Sequence, residues 1–274
     1  MTTRWQDLAV AERERQFNPR VAVGHDRVEA YLAEYAERSA AMRPNWPATF
    51  DIRYGEGPKA TFDIFLPAAG TPAVPFVFIH GGYWRALDKH EHHFVVEPAL
   101  QAGFAAVVVN YDLCPANTLD GIVAQMRACM AFLAGEGAGL GLAVDAVHLA
   151  GHSAGAHLAA MLLHDAGADL AIASAVLASG IYEPAVILEL TINADVRLMP
   201  DMAARNDALR LPPRPGPVID VTVGAEEPSG WIAQSRAYAE RYAEGRFEAV
   251  AGADHFSLLF QPLLPPQRWS VVAP

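Results

Sequence analysis

The stretch Val147-His-Leu-Ala-Gly151-His-Ser153-Ala-Gly155 decides the fold. Its first residues are mostly apolar and predict a strand, and the apolar run 156–163 that follows predicts a helix. A strand that turns so sharply into a helix holds the serine in strained backbone dihedrals. Glycines two positions before and two after it are needed because side chains there would collide. This context predicts that Ser153 is an exposed nucleophile above a sheet, at the positive end of a helix.

Short apolar runs alternate with segments of helical spacing on both sides of this stretch. Runs this apolar suit strands buried on both faces, so the alternation predicts an α/β fold with a mostly parallel central sheet and helices on both faces. Residues 49–54 and 61–66 alternate like the strands of a hairpin. The other predicted strands are 76–79, 104–109, 147–150, 171–178, 217–223 and 247–250, and the predicted helices are 26–41, 88–102, 117–135, 154–165 and 229–244.

The composition is typical of a globular protein: 52% of the 274 residues are hydrophobic and 19% are charged. No linker or low-complexity segment divides the chain, so we expect a single domain over residues 1–274. Residues 1–50 are predicted to form a polar, helical cap segment that could lie over an active site. Whether this segment moves as a lid stays open.

The net charge of −11 argues against a nucleic-acid partner, which needs a basic face, and against docking on anionic lipid. No apolar run approaches the roughly 20 residues of a membrane span, and the N-terminus has no apolar signal core. Cys114 and Cys129 lack Cys-x-x-Cys spacing. We therefore interpret them as reduced thiols in a cytoplasmic protein.

A glycine pair follows the predicted strand 76–79, in His80-Gly-Gly-Tyr-Trp84. Two glycines let the backbone turn N–H groups toward one point, where they stabilise the negative oxygen of a tetrahedral intermediate. We predict an oxyanion hole made by the N–H groups of Gly82, Tyr83 and Ala154. The imidazole of His80 is expected to brace this loop.

A serine nucleophile of this kind is followed along the chain by an acid and then by a histidine. Of the ten histidines only His255 lies beyond residue 164, so it is the predicted base. The acid should follow the penultimate strand, where the chain has two adjacent glutamates and no aspartate. Glu227 is the preferred carboxylate and Glu226 the alternative. Asp254 is a poorer candidate, because adjacent residues seldom aim their side chains at each other.

Tyr83, Trp84 and His152 are the candidate substrate-binding residues. The first two would lie at the mouth of the oxyanion loop, where their rings could stack on an aryl group, although packing under the N-terminal helices is an equal alternative. His152 precedes the nucleophile and either lines the pocket or belongs to the core. Arg85 and Arg197 are candidates for holding a substrate carboxylate, and the sequence does not choose between them.

The histidine-rich run Lys89-His-Glu-His-His93 invites a metal hypothesis, because His90 and His93 could share a helix face. No compact set of carboxylate ligands accompanies them. We interpret the run as the polar start of a helix after Asp88, and we expect neither a metal nor a cofactor.

The two glycine loops and His255 resemble those of the α/β-hydrolase-fold kynurenine formamidases (arylformamidases), neighbours of the hormone-sensitive-lipase-like esterases. The similarity covers most of residues 15–260 and includes Gln16-Phe-Asn-Pro-Arg20, Asp63-Ile-Phe-Leu-Pro67 and Gly224-Ala-Glu-Glu227. One departure is Glu227, where many members carry aspartate. The resemblance implies an α/β-hydrolase fold and hydrolysis of N-formyl-L-kynurenine to formate and L-kynurenine, in tryptophan breakdown, without a metal.

We therefore expect a serine hydrolase that removes a small acyl group from a small molecule through an acyl-enzyme. Formylkynurenine is the favoured substrate. A carboxylesterase of unknown substrate is the alternative, and a non-catalytic ligand-binding protein is a third hypothesis, which the complete set of catalytic residue types disfavours. The physiological substrate and the oligomeric state, with a homodimer as one option, are left open.

Overall fold

The computed structural model describes residues 5–67, 72–164 and 170–263. Eight strands within these ranges form one sheet: β1 Ala48–Arg53, β2 Thr61–Phe65, β3 Pro75–Ile79, β4 Ala105–Val109, β5 Ala146–His152, β6 Ala171–Ala178, β7 Val218–Gly224 and β8 Phe247–Val250. Their spatial order is β1-β2-β4-β3-β5-β6-β7-β8. β1 and β2 pair as an antiparallel hairpin, β2 is antiparallel to β4, and the pairs from β4 to β8 are all parallel. The predicted mostly parallel sheet and its N-terminal hairpin are confirmed.

Helices cover both faces of this sheet. In chain order they are α1 Val10–Phe17, α2 Pro19–Val23, α3 His25–Met42, α4 Glu97–Gln101, α5 Leu119–Glu136, α6 Ala154–His164, α7 Asn193–Val196, α8 Pro200–Arg205 and α9 Ser229–Tyr242. The predicted helix over 154–165 is α6 as far as His164, and residue 165 lies outside the described residues.

The side chains of β3 show why both faces are apolar. Val77 and Ile79 join the core cluster that includes α5, α6 and α9. Phe76 and Phe78 join the opposite cluster, which includes α3 and α4. Because successive residues of a strand point to opposite faces, a strand covered on both sides must be apolar at every position.

The predicted helix over 88–102 is wrong. The segment forms two short 3-10 turns, Lys89–Glu91 and His93–Val96, before α4 begins. The Asp88 side chain caps the first turn by accepting from the N–H of His90, and the Asp88 N–H donates to the carboxylate of Glu91. Pro98 has no N–H to donate to the preceding turn, so a helix cannot run through it without a break.

The N-terminal segment is helical, as predicted, and α3 packs directly on the body of the protein. Val28, Tyr35 and Met42 of α3 are buried in the core cluster beneath it. The organisation as a single domain with residues 1–50 as a cap stays a prediction, and its ends, residues 1–4 and 264–274, lie outside the described residues. No helix in the described ranges is both long and apolar enough to cross a membrane.

Candidate active site

Ser153 lies between the end of β5 and the first residue of α6, with a backbone φ of +57°. A left-handed conformation is costly for a serine. It is held by two backbone hydrogen bonds: the Ser153 N–H donates to the carbonyl of Ala178 on β6 (2.8 Å), and its own carbonyl accepts from His157 one turn into α6 (3.1 Å). The side chain is therefore fixed above the carboxyl edge of the sheet.

Gly151 and Gly155 flank this serine where backbone segments meet. A Cβ on Gly151 would collide with the carbonyl of Gly155, and a Cβ on Gly155 would collide with the carbonyl of Ile79 at the end of β3. Backbone atoms cannot yield as a flexible side chain does. The close approach of strand, turn and helix therefore requires glycine at both positions, as the sequence pattern indicated.

His255 stands directly beside the serine hydroxyl. Its Nε2 lies 3.0 Å from Ser153 Oγ, and its Nδ1 lies 2.8 Å from Glu227 Oε2. The three side chains are almost inaccessible to solvent, with 4%, 3% and 6% of the surface of Ser153, His255 and Glu227 exposed. Proton exchange with bulk water is thus restricted, and the histidine has one acceptor and one donor within reach.

Glu227 is held by its second carboxylate oxygen. Oε1 accepts from the N–H of Gly224 at 2.8 Å and from the hydroxyl of Ser179. Ser179 has φ +49°, and its own carbonyl accepts from Trp231 Nε1 at 2.7 Å. The alternative carboxylate, Glu226, is exposed, and among the described residues it is Glu227 that contacts the imidazole. The geometry favours Glu227.

His152 supports the loop that carries His255. Its Nε2 donates to the carbonyl of His255 at 2.8 Å, and the two rings are 4.8 Å apart. Burial and the neighbouring His255 hold the pKa of His152 well below its ordinary value. His152 therefore stays neutral, and it lines the same cavity as Ser153.

The loop after β3 lies against the nucleophile. Gly82 has φ +108°, and the backbone continues left-handed through Tyr83 (+51°) and Trp84 (+56°). The carbonyl of Gly82 accepts from the N–H groups of Arg85 and Ala86, both at 3.1 Å, which pins the turn. Gly82 and Tyr83 line the cavity beside Ser153.

Ala154 completes the group of predicted oxyanion donors. It is the first residue of α6, where a backbone N–H has no acceptor within the helix. The helix also places the positive end of its dipole there. The arrangement can stabilise negative charge on an oxygen next to Ser153 Oγ.

His80 braces this loop from behind. Its Nδ1 lies 2.7 Å from the carbonyl of Gly81 and its Nε2 lies 3.1 Å from Asn110 Oδ1. The ring stacks on Tyr111 at 4.4 Å, and complete burial lowers the pKa of His80. His80 is absent from the lining of the cavity.

Trp84 does not occupy the place predicted for it. It is fully buried, its ring packs edge-on against His157 at 5.0 Å, and it does not line the cavity. The rings of Tyr83 and Trp84 meet edge-on, with centroids 6.0 Å apart, and of the two residues Tyr83 alone lines the cavity. Trp84 is thus a core residue, and the prediction that it binds substrate is wrong.

The cavity has further walls, made by residues that were not among the predicted site residues. The N-terminal segment contributes Asn18, Pro19 and Arg20, α3 contributes Tyr35, and the capped turn contributes His92. The Asn-Pro-Arg motif was a visible signal for the first group. Nothing local marks the other two, because their place depends on long-range packing.

Two arginines lie at the cavity. Arg85 lines it and pairs with Asp195 at 3.0 Å, and Arg20 lines it and pairs with Glu29 at 2.9 Å. Arg197, the other predicted carboxylate partner, ends α7 and is not part of the lining. The structure therefore favours Arg85 over Arg197.

The histidine-rich run does not assemble a metal site in the described part of the chain, where no group of three or more histidine, cysteine, aspartate or glutamate residues could hold a metal ion. His93 Nε2 lies 2.8 Å from Asp63 Oδ2, and His90 Nδ1 lies 2.8 Å from Asp88 Oδ1. The hydrogen bond of the His90 imidazole stays within the capped turn, and that of the His93 imidazole ties the following turn to β2.

Comparison with known proteins extends the resemblance along the chain. The family model described as BD-FAE matches residues 62–175. The kynurenine formamidase of Salmo salar is 30% identical over 94% of this chain and 93% of its own length. The kynurenine formamidase of Danio rerio is 29% identical over 94% and 92%.

Solved structures agree on the architecture. A candidate thioesterase from Silicibacter sp. tm1040 is 27% identical, with a TM-score of 0.78 over 89% of this chain and 93% of its own. An esterase of Pyrobaculum calidifontis, 19% identical, has a TM-score of 0.68 over 98% and 92%. The predicted α/β-hydrolase fold is confirmed, and the chain is a hydrolase. Since the identity to the fish relatives runs through nearly the whole of both chains and not through the glycine loops alone, this chain belongs to the kynurenine formamidase family.

Proposed function

We propose that the protein hydrolyses N-formyl-L-kynurenine to formate and L-kynurenine, with Ser153 as nucleophile, His255 as base and Glu227 as the carboxylate that orients the imidazole. The observation that carries this proposal is the unbroken hydrogen-bond chain from Ser153 Oγ through His255 to Glu227, with Ser153 and His255 in the wall of the cavity. Membership of the kynurenine formamidase family supports the choice of substrate.

The mechanism follows from this geometry. His255 Nε2 takes the proton of Ser153 as Oγ attacks the formyl carbon. The resulting oxyanion is stabilised by the N–H groups of Gly82, Tyr83 and Ala154. Collapse breaks the C–N bond, and the proton on His255 passes to the departing aryl amine. Water then attacks the formyl-serine, with His255 again as base, and releases formate.

The proposed substrate matches the chemistry of the cavity walls. The Tyr83 ring lies at the oxyanion loop, where it would narrow the space for the acyl group. A narrow acyl pocket favours a small group such as formyl. An amino-acid substrate also brings a carboxylate, for which Arg85 is the proposed partner, exchanging its contact with the half-exposed Asp195. We further propose a single domain, a small-molecule substrate and a cytoplasmic location; a homodimer stays a hypothesis.

One observation favours a second function. The candidate thioesterase from Silicibacter sp. tm1040 is 27% identical over most of its length, so an esterase acting on another acyl group would use the same triad. Each methylene group in an apolar pocket changes the discrimination between two substrates by only about 1–3 kcal/mol. Turnover measurements therefore decide between a formamide and an ester substrate.

The deciding experiment measures turnover of N-formyl-L-kynurenine beside 4-nitrophenyl acetate and butyrate, for the wild type and Ser153→Ala. We expect a kcat/KM of about 10⁴ M⁻¹s⁻¹ or more for the formamide, and a loss of about 10³-fold or more in the variant. Ester turnover without formamide cleavage would keep the triad and move the protein to the esterases. Inactivity on all three substrates would favour the ligand-binding hypothesis.

A further inference from the structure

His92 has a buried ring nitrogen without a hydrogen-bond partner in the described structure, and the residue lines the cavity of the nucleophile. The residue lies between the two 3-10 turns, is completely buried, and lines the same cavity as Ser153, His152 and His255. Its Nδ1 lies 2.9 Å from the carbonyl oxygen of Asp88. Its Nε2 has no hydrogen-bond partner in the described structure.

The tautomer of His92 is fixed by that contact. A carbonyl oxygen can only accept, so Nδ1 carries the hydrogen and Nε2 carries the lone pair. Burial, with the nearby His80, lowers the pKa of His92 to about 3, so the ring is neutral at pH 7. His92 therefore has one ring nitrogen that can accept a hydrogen bond and that no described protein group uses.

The ring cannot easily turn away from this position. It stacks on His80 at 5.5 Å, and the ring of Tyr35 meets it edge-on at 5.6 Å. Asp88, which holds Nδ1, is itself fixed by Lys59 and Asn110, at 2.9 and 2.8 Å. A buried acceptor with no partner is destabilising, yet the surroundings hold this one rigidly in place.

We propose that His92 Nε2 accepts a hydrogen bond from the N–H of the scissile amide, and so makes this site better suited to amides than to esters. The proposal rests on the proposed function and adds the way in which the site distinguishes the two classes of acyl donor. His92 transfers no proton in this role.

The chemistry of amide cleavage gives such an acceptor a function. When Ser153 adds to the carbonyl, the nitrogen becomes pyramidal and turns its new lone pair toward His255, which must protonate it. The hydrogen already on nitrogen then points away from His255. An acceptor on that side stabilises the tetrahedral state, whereas an ester has an oxygen at this position and no hydrogen to donate. With an ester, His92 Nε2 would face a second lone pair.

The test uses two substitutions of His92, to asparagine and to glutamine, each of which reproduces one of the two ring nitrogens. In His92→Asn the amide reaches the position of Nδ1, keeps the bond to Asp88 and removes the acceptor at Nε2. In His92→Gln the amide reaches the position of Nε2 and can place an oxygen there. The substrates are formanilide and phenyl formate, which differ in the scissile N–H or O, with spontaneous ester hydrolysis subtracted.

We expect His92→Asn to lower kcat/KM for formanilide, through kcat, at least tenfold more than it lowers kcat/KM for phenyl formate. His92→Gln should retain more of the formanilide rate than His92→Asn. A parallel loss on both substrates would mean a structural role and overturn the proposal, as would an unchanged formanilide rate in His92→Asn. Should that variant fail to fold, the same ratio is measured in His92→Phe, which keeps the packing of the ring.

Wild-type turnover of N-formyl-L-kynurenine is measured in the same series. A protein that cleaves formanilide with the expected dependence on His92, but not formylkynurenine, would refute the proposed substrate and keep the inference about His92. A protein that cleaves formylkynurenine at the same rate in wild type and His92→Asn would do the reverse.

Discussion

Glu227 holds His255 from the side opposite to the nucleophile, with Oε2 at 2.8 Å from Nδ1 of the imidazole. The other carboxylate oxygen is occupied by the Gly224 N–H and the Ser179 hydroxyl. A glutamate is one methylene longer than the aspartate expected from the family. Residues 224–227 form a turn in which the Glu227 carboxylate bonds to the N–H of Gly224, the first residue of the turn. This contact fixes the position of the longer side chain.

Replacement of the two adjacent glutamates should separate the proposed triad acid from its neighbour. Glu227→Gln offers an N–H or an oxygen where a carboxylate accepted from His255, so the imidazole loses its charge partner and its fixed tautomer. We expect kcat for 4-nitrophenyl acetate to fall about 10²-fold or more. Glu226→Gln, the matched control on an exposed side chain, should stay within about twofold. A larger loss in Glu226→Gln than in Glu227→Gln would reverse the assignment.

Ser179 is expected to act as a positioning residue through Glu227. Its hydroxyl contacts Oε1, and its φ of +49° is unfavourable for any residue with a Cβ. Ser179→Ala removes the hydroxyl and keeps the strain, whereas Ser179→Gly removes both. We expect kcat to fall about three- to tenfold in both variants with KM unchanged.

The same pair of variants tests whether strain alone explains the effect. Urea unfolding should show Ser179→Gly to be at least as stable as Ser179→Ala, since glycine adopts a positive φ freely. If only the less stable variant loses activity, the hydroxyl does not position Glu227 and the effect belongs to folding.

Particular residues show how far the sequence could lead. The positions of Ser153 and His255 were predictable. Ser153 lies in a local pattern, a glycine-flanked turn between a strand and a helix, and His255 follows from the order of serine, acid and histidine along the chain. The placement of Trp84 was not, because it depends on packing against His157, a residue 73 positions further along the chain. His92 was hidden for a related reason: its proposed role depends on packing against the rings of His80 and Tyr35, which come from distant segments and cannot be read from the neighbouring residues.

Tyr83→Gly should broaden the range of acyl groups. The Tyr83 ring lines the cavity at the oxyanion loop, and glycine fits its φ of +51° without strain. Each methylene that gains room contributes about 1–3 kcal/mol to discrimination, so the ratio of kcat/KM for butyrate over acetate 4-nitrophenyl esters should rise at least tenfold. Tyr83→Phe, which keeps the ring and loses only the hydrogen bond to the carbonyl of Phe17, should leave this ratio unchanged. Equal preference in wild type and Tyr83→Gly would contradict a role of the ring in limiting acyl size.

Helix α3 should contribute to the stability of the loop that carries His255. The Tyr35 hydroxyl donates to the carbonyl of Phe256, and Tyr31 donates to Asp254 Oδ2 at 3.0 Å. Tyr35→Phe leaves the buried carbonyl without this donor, at a cost of about 1–3 kcal/mol, and we expect a lower urea midpoint together with faster loss of esterase activity on heating. Tyr31→Phe is the more exposed comparison and should cost less. A Tyr35→Phe variant as stable as the wild type would show that α3 does not hold the loop through this contact.

Buried neutral histidines should make the protein sensitive to acid. Burial lowers the pKa of His157 to about 4, whereas an unfolded chain has a histidine pKa near 6.5. Below pH 6.5 the unfolded state therefore binds a proton that the folded state does not, and stability falls as the pH decreases toward 4. By linkage this single group removes about 2 kcal/mol between pH 7.5 and pH 5.

His157→Gln provides the matched variant, because the glutamine amide can still donate to the carbonyl of Asn206, which lies 2.8 Å from His157 Nε2. We expect the variant to lose about 2 kcal/mol less unfolding free energy than the wild type between pH 7.5 and pH 5, measured by urea titration at each pH. At pH 7.5 the unfolding free energies of the two proteins differ only through the change in packing. The comparison therefore uses the change in unfolding free energy of each protein between pH 7.5 and pH 5. Identical pH dependence in both proteins would mean that His157 does not titrate differently in the folded and unfolded states.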